Sequence, residues 1–243
     1  MIKYVIEGAV IICGILLSFY IGELNTQKNN IEIKKELLQD LNQALDDDLN
    51  QIKIIQNILD DSLSWISVLQ DDIESNHNNL SDEEAVNLIL DIEVGASYFP
   101  AIGVYNELIS TGSYELIESS ILKRQLIDFY ETQKERNNTI SIVLDNLHIQ
   151  YIRETLEGFA IRFSYNLDEG DVYGDRVLYK YDFNKEYYLS DKFYGHLSTL
   201  SYPANNYRRL LVTAKKSIED CDFVSLTVFL ILFFWICFLS SET

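Results

Sequence analysis

The stretch LQDLNQALDDDLNQIKIIQNILDDSLSWISVLQDDI, residues 38–73, carries apolar side chains at Leu38, Leu41, Leu45, Leu49, Ile52, Ile55, Leu59, Leu63, Ile66, Leu69 and Ile73. Ten steps over 35 residues give a mean period of 3.5, the repeat of a helix that packs a continuous seam against its neighbours. At ~1.5 Å per residue the seam is about 54 Å long. Ile54, Ile58 and Trp65 widen it, which predicts a multi-helix bundle rather than an isolated two-stranded coil. The run Asp46–Asp48 points in three directions on a helix, so a solvated face is expected there, not a calcium loop.

Upstream, Tyr4 to Ile21 is apolar except for Glu7. Eighteen residues rise roughly 27 Å, close to the ~30 Å of a hydrocarbon core. Ser18 is followed by Phe19, Tyr20 and Ile21, so no small-residue cleavage site is present, and the reading is a retained transmembrane helix continuous with the long helix. Gly14, Ser18 and Gly22 recur every four residues and would let a second helix approach closely, either another copy or the C-terminal segment.

Downstream, Ser81 and Glu84 form a capping box for the next helix, which is expected to end near Gly95 and to be followed by a loop, 96–101. Gly112 suits a helix C-terminus. A second long helix is predicted from Ser119 or Ser120 through Leu122, Leu126, Phe129, Tyr130, Leu144 and Tyr151 to Phe159. The helical period fades across about 164–190. There Tyr179, Tyr181 and Phe183 alternate as on one face of a strand, either capping the core or forming a recognition tip. Helical signals resume over 191–200 and, after Pro203, over 205–220. Phe223 to Leu239 is uncharged and apolar and reads as a second transmembrane helix.

Glu7-Gly8, Gly14 and Ile21-Gly22-Glu23-Leu24-Asn25 open a pattern that continues with Tyr105-x-Glu107-Leu108-x-x-Thr111-Gly112-x-x-x-x-Ile117 and Leu122-x-x-x-Leu126-x-x-Phe129-Tyr130. Over about two thirds of its length the chain thereby resembles an uncharacterised bacterial family of membrane-anchored, mostly helical proteins, a domain of unknown function. The resemblance implies an N-terminal membrane helix and a helical body, with no known activity or cofactor. The tyrosine-rich segment and the apolar C-terminus depart from the pattern.

The fold expected is all-α, a long-helix antiparallel bundle with a small hairpin near its tip. It divides into a transmembrane helix at 1–23, a body at 24–220, and a second transmembrane helix with its tail at 221–243. The net charge is −19, and outside Lys3, Glu7 and Glu242 there are 18 basic and 36 acidic residues. Such a body repels phosphate backbones, so nucleic acid is not expected as a partner. Three cysteines, at 13, 221 and 237, offer no disulfide framework.

No phosphate loop, hydrolase elbow, CxxC pair or HExxH occurs. Two carboxylate-x-x-His steps, Glu74 to His77 and Asp145 to His148, are the nearest approach to the ligand set of a two-metal bundle. Glu74 and His77 lie where the long helix frays into an asparagine-rich turn, whereas such ligands belong in mid-bundle, so His148 reads as a helix-face histidine and His77 as a solvated turn residue. Glu154 and Glu157 read as a solvated face beside Arg153 and Arg162. No catalytic residue, metal or cofactor is expected, and the enzymatic reading is the weaker one.

The function expected is a membrane-anchored scaffold or interaction protein, with a lipid bilayer and a protein partner or second copy as its contacts. A membrane-tethered small-molecule sensor is the alternative, and a bundle metalloenzyme ranks third. The location expected is integral in a bacterial inner membrane. Lys28, Lys34, Lys35, Arg208, Arg209, Lys215 and Lys216 flank the body side and lean the body towards the cytoplasm, whereas a short basic N-terminus argues the reverse.

Overall fold

The computed structural model describes the backbone of residues 2–166 and 174–240, and the side chains of residues 3, 11–166, 174 and 176–221. Helices dominate it. Helix α1 (Ile2–Glu74) is followed by α2 (Asp82–Asp91), α3 (Ile102–Ser110), α4 (Ser120–Ile127) and α5 (Lys134–Gly158). Strands β1 (Arg162–Asn166) and β2 (Asp175–Lys180) pair antiparallel, and α6 (Lys185–Tyr188) and α7 (Asp191–Ser240) complete the order.

The 3.5-residue seam of α1 is buried, but along a different second lane from the one its leucines suggest. Leu38, Leu45, Ile52, Leu59 and Ile66 form one lane, each at most 3% exposed. The other lane runs Leu41, Asp48, Ile55, Ser62 and Leu69, so two of its five buried positions are polar. Leu49 and Leu63 are displaced to half-buried flanks. Asp46 and Asp47 are exposed as expected, whereas Asp48 is 2% exposed and corrects the reading of all three as a solvated face.

Among the described residues no helix is long and apolar enough to cross a membrane. This overturns the expected integral placement in an inner membrane, which rested on transmembrane helices at 1–23 and 221–243. Within α1 the apolar run whose side chains are described is Ile11–Ile21, eleven residues that Gly22 and Glu23 follow. Residues 4–10 and the run Phe223–Leu239 are helical in backbone, but their side chains lie outside the described residues.

The chain divides into two compact units. The first comprises Met1–Asp46, Ala101–Leu126 and Asp220–Thr243. Its core gathers Leu38, Leu41, Leu45, Tyr105, Leu108, Ile117, Leu122 and Leu126. Gly112, at φ 71°, ends α3 in the left-handed conformation that glycine adopts without a Cβ penalty. Lys34 is buried and its Nζ reaches Glu118 Oε1 at 2.8 Å, so the charge leaves the apolar seam at its tip.

The second unit comprises Asp47–Pro100 and Ile127–Glu219. Here α1 and α7 run antiparallel: Tyr194 Oη donates to Glu74 at 2.9 Å, Gln70 to Ser198 at 3.0 Å, and Arg208 pairs with Asp60. Phe193, Leu197, Leu200, Ala204, Tyr207, Leu211, Ala214 and Ile218 give α7 its own buried seam. That seam passes through Pro203, where a break was expected. Continuous burial on both sides of the proline outweighs the roughly 3 kcal/mol that the missing N–H and the ring impose on a helix interior.

Helix α2 stops at Asp91, earlier than expected, and the chain continues extended. Ile92, Val94, Ala96 and Tyr98 are buried and the residues between them are not. Helix side chains act as the neighbouring strand for this strap. Ser62 Oγ accepts from Glu93 N at 2.9 Å and donates to Glu93 O at 3.0 Å. Tyr207 Oη accepts from Tyr98 N at 2.9 Å, and Gln51 Oε1 from Phe99 N at 2.8 Å. Between α4 and α5, Asp128–Gln133 widens into a π-helical turn, which lets the consecutive Phe129 and Tyr130 both enter the core.

Candidate functional site

Each histidine of the chain meets a carboxylate in the second unit, in three separate clusters. His77 follows the end of α1 in a turn where Asn76 and His77 both have left-handed backbones, φ 64° and 58°. Its Nδ1 lies 2.6 Å from Asp72 Oδ2 and its Nε2 2.9 Å from Asp82 Oδ1. Asp72 has no exposed surface. It also accepts from Tyr188 Oη at 2.7 Å, from Asn79 N at 2.8 Å and from Leu80 N at 3.1 Å.

Burial alone would raise the Asp72 carboxyl, but the bonds from His77, Tyr188 and the two amides outweigh it and hold it below its ordinary value. Burial likewise opposes charge on His77, yet its bonds to Asp72 and Asp82 leave the ring raised. The imidazole stacks on Phe183 at 4.8 Å and meets Tyr188 at 4.9 Å. Both ring nitrogens are committed to carboxylates, so this histidine has no lone pair to offer as a general base.

The second cluster lies where the strap passes α5. Glu93 Oε1 is 3.1 Å from His148 Nε2, and Glu93 Oε2 accepts from Arg176 at 2.9 Å, tying β2 to the strap. Burial would raise Glu93, but His148 and Arg176 outweigh it and the group is lowered. Ser97 Oγ donates to both Asp145 oxygens at 3.3 Å, and burial leaves Asp145 raised despite that bond. Gly95 packs so closely that a Cβ there would come within 3.2 Å of the His148 ring. In the third cluster Glu154 Oε2 lies 2.6 Å from His196 Nε2 and 3.0 Å from Lys192 Nζ. A groove of about 180 Å³ adjoins it, lined by Leu147, Gln150, Tyr151, His196, Thr199 and Leu200.

The structure separates the carboxylate-x-x-His steps. Glu74 faces Tyr194 rather than His77, and His148 pairs with Glu93 rather than Asp145. Among the described residues no group of three or more His, Cys, Asp or Glu side chains is arranged to hold a metal ion. Around His77 the reason is direct contact, since 2.6 and 2.9 Å leave no space for an ion between ring and carboxylates. Glu154 is engaged by Gln150, Lys192 and His196, while Glu157, Arg153 and Arg162 stay exposed.

The hairpin presents exposed aromatic side chains, as do the strap at Phe99 and α7 at Tyr202, 71% and 80% exposed. Phe163 pairs with Leu178 and Ser164 with Val177. Phe163 and Leu178 are half-buried on one face. Val177 and Tyr179, two residues apart, share the other, 47% and 68% exposed. Tyr181 is half-buried beyond the end of β2. Phe183 leaves the strand direction and packs among Phe159, Tyr188 and His77. Of the three expected tip residues, then, Tyr179 is presented, and Tyr181 and Phe183 are half-buried, Phe183 against the aromatic cluster. Val177 and Tyr165, 59% exposed, were missed because a valine or tyrosine in an alternating run gives no sign of which face is covered.

Gly14, Ser18 and Gly22 lie on an exposed part of α1, with Ser18 Oγ donating back to Gly14 O at 2.9 Å. Nothing described approaches within 4 Å of a Cβ built on either glycine. The C-terminal segment expected as a partner for that face has its side chains outside the described residues.

No curated protein and no solved structure matches the chain. A family model does, over residues 7–148, from early α1 to the His148 cluster and short of the hairpin. That span is more than half of the chain, which therefore belongs to DUF6090, a family of unknown function.

Proposed function

We propose that the protein is an interaction protein, a helical scaffold whose contacts with partner proteins run through the hairpin face bearing Val177 and Tyr179. The observation that carries this reading is the adjacent exposure of Val177 and Tyr179 on one face of a paired strand, 47% and 68%; Phe99 and Tyr202 are more exposed still, but stand on the strap and on α7 rather than on a strand face. Tyrosine on a rigid element is a common interface anchor, because it buries much area while losing little side-chain entropy. Arg176 pairs with Glu93, so the strand that presents Tyr179 is pinned to the strap behind it. The histidines and their carboxylates are spent on internal bonds, which favours a contact role over a catalytic one.

The test is a photo-crosslinking residue placed at 179 in the full-length chain in cells, with the same residue at exposed Arg209 as control. A discrete protein adduct specific to 179 is expected. The same adducts, or none, at both positions would refute the reading.

A second reading, a small-molecule sensor, is supported by the groove between α5 and α7, where Gln150, His196 and Thr199 stand among Leu147, Tyr151 and Leu200. Binding there would raise the unfolding temperature in a metabolite screen, and Leu147→Trp, which fills the groove, would abolish the shift.

A further inference from the structure

We propose that His77 is a proton-operated clasp that joins the α1–α2 turn to the base of the β1–β2 hairpin and thereby regulates how firmly the Tyr179 face is held. This regulatory role rests on the interaction reading above, but the clasp itself is a statement about the chain alone.

The geometry has three parts. First, His77 bridges Asp72 of α1 and Asp82 of α2 through its two ring nitrogens, at 2.6 and 2.9 Å. Two carboxylates can both accept only from a doubly protonated ring, because a neutral imidazole presents a lone pair to one of them. Second, the ring is the floor on which Phe183 stacks at 4.8 Å, and Tyr188 closes the same pocket while donating to Asp72 at 2.7 Å. Phe183 lies three residues beyond β2, and Phe159, three residues before β1, stacks on it at 5.6 Å. Both strands thus leave from one aromatic cluster seated on His77, with Asp182 N donating to Phe159 O at 2.8 Å across the base. Third, Asn76 and His77 are held in left-handed conformations that non-glycine residues adopt at a cost, so the turn gains backbone freedom when its side-chain bonds go.

The titratable groups facing His77 are Asp72 from α1, Asp82 from α2 and Tyr188 from α6; Phe183 contributes an apolar face. Tyr188 is raised by burial and by Asp72, so its proton stays on. Proton loss from His77 is then the event that sets ring and carboxylate in repulsion. Because the ring is raised in the fold, the clasp is closed below the ordinary histidine value of 6.5 and opens as pH climbs through the higher folded value. Protonation of Asp72 opens it again in strong acid.

The experiment follows the full-length chain by nitrogen-15 NMR of the histidine rings and by amide hydrogen exchange, corrected for intrinsic rate, from pH 5 to 9. Protection at Leu178, Tyr179 and Asp182 is expected to fall tenfold or more with the midpoint of the His77 ring. In Asp82→Asn, which removes one exposed carboxylate, the two midpoints should move together to lower pH. In His77→Gln the hairpin should be weakly protected and flat with pH. Hairpin protection that stays constant through the His77 titration, or a pH profile in Asp82→Asn identical to wild type, overturns the clasp. Neither readout involves a partner, so failure of the crosslinking experiment leaves this result standing, and the reverse also holds.

Discussion

Replacing Asp72 tests most sharply whether the polar clusters are structural. Its carboxylate is fully buried and gathers four donors: His77 Nδ1 at 2.6 Å, Tyr188 Oη at 2.7 Å, Asn79 N at 2.8 Å and Leu80 N at 3.1 Å. In Asp72→Ala the amides of exposed Asn79 and half-buried Leu80 can turn to water, so they add little. The phenol and the imidazolium are enclosed and would be stranded, at about 1–3 kcal/mol each. The sum, about 2–6 kcal/mol, brackets the roughly 3–5 kcal/mol cost of breaking a buried ion pair from one side. It is a large part of the roughly 5–15 kcal/mol that holds a domain folded.

Asp72→Asn keeps one acceptor oxygen for the amides but points an NH₂ at two donors, and should cost about 2–3 kcal/mol. Tyr188→Phe removes a single bond to a charged acceptor and should cost about 1–2 kcal/mol. Urea denaturation followed by circular dichroism and by the fluorescence of Trp65, on the same helix, gives the order Ala, then Asn, then Phe. An Asp72→Asn protein within 0.5 kcal/mol of wild type, or milder than Tyr188→Phe, would refute the assignment of Asp72 as the organising acceptor.

Three further outcomes follow from individual contacts. Ser62→Ala removes the hydroxyl that serves both backbone groups of Glu93, costing about 1–3 kcal/mol, and amide exchange across Ile92–Tyr98 should accelerate before that of α7. Gly158→Ala sets a Cβ 2.5 Å from Tyr187 Cε1 and 2.8 Å from its Cδ1, so the ring must swing; a loss of about 1–3 kcal/mol in thermal unfolding is expected, and Gly158→Ala/Tyr187→Ala should recover part of it. Acid unfolding should be steep. Asp72 and Glu93 are both lowered from ordinary values of 3.8 and 4.5, so their stabilisation is present above those values and is lost as pH falls through the folded ones. Glu93→Gln should flatten that part of a stability–pH curve.

What the sequence disclosed follows the range of the interactions concerned. The seam of α1, the Ser81–Glu84 capping box and the left-handed Gly112 are local, and each is present in the fold. The strap was readable in principle, since Ile92, Val94, Ala96 and Tyr98 alternate, but Gly95 suggested a helix terminus first. Pro203 misled for the opposite reason, because a local rule was overridden by burial on both sides. The clusters were illegible at helical spacing. His77 meets residues five before and five after it, across a turn, and Glu93 meets a histidine 55 positions away. A carboxylate-x-x-His search looks at neighbours one turn apart, and so it selected Glu74 and Asp145, the acids that face elsewhere.

The polar residues in the α1 seam have a consequence beyond their individual bonds. A seam built only of leucine and isoleucine repeats every seven residues, and a helix shifted by seven along its neighbours would bury nearly the same area. Leu41, Asp48, Ile55, Ser62 and Leu69 break that degeneracy. A shift by one heptad takes Ser62 from the backbone of Glu93 and puts an aliphatic side chain against unpaired amide and carbonyl groups. It also takes Asp48 from the Tyr130 hydroxyl, 3.5 Å away in the fold, and buries the charge elsewhere. Asp72, just past the last leucine of the lane, does the same for the turn. The pairings of Glu74 with Tyr194, Gln70 with Ser198 and Asp60 with Arg208 then carry the chosen register of α1 into α7. The aliphatic lane supplies the driving force for packing, and the buried polar positions select which of its equivalent alignments is the native one.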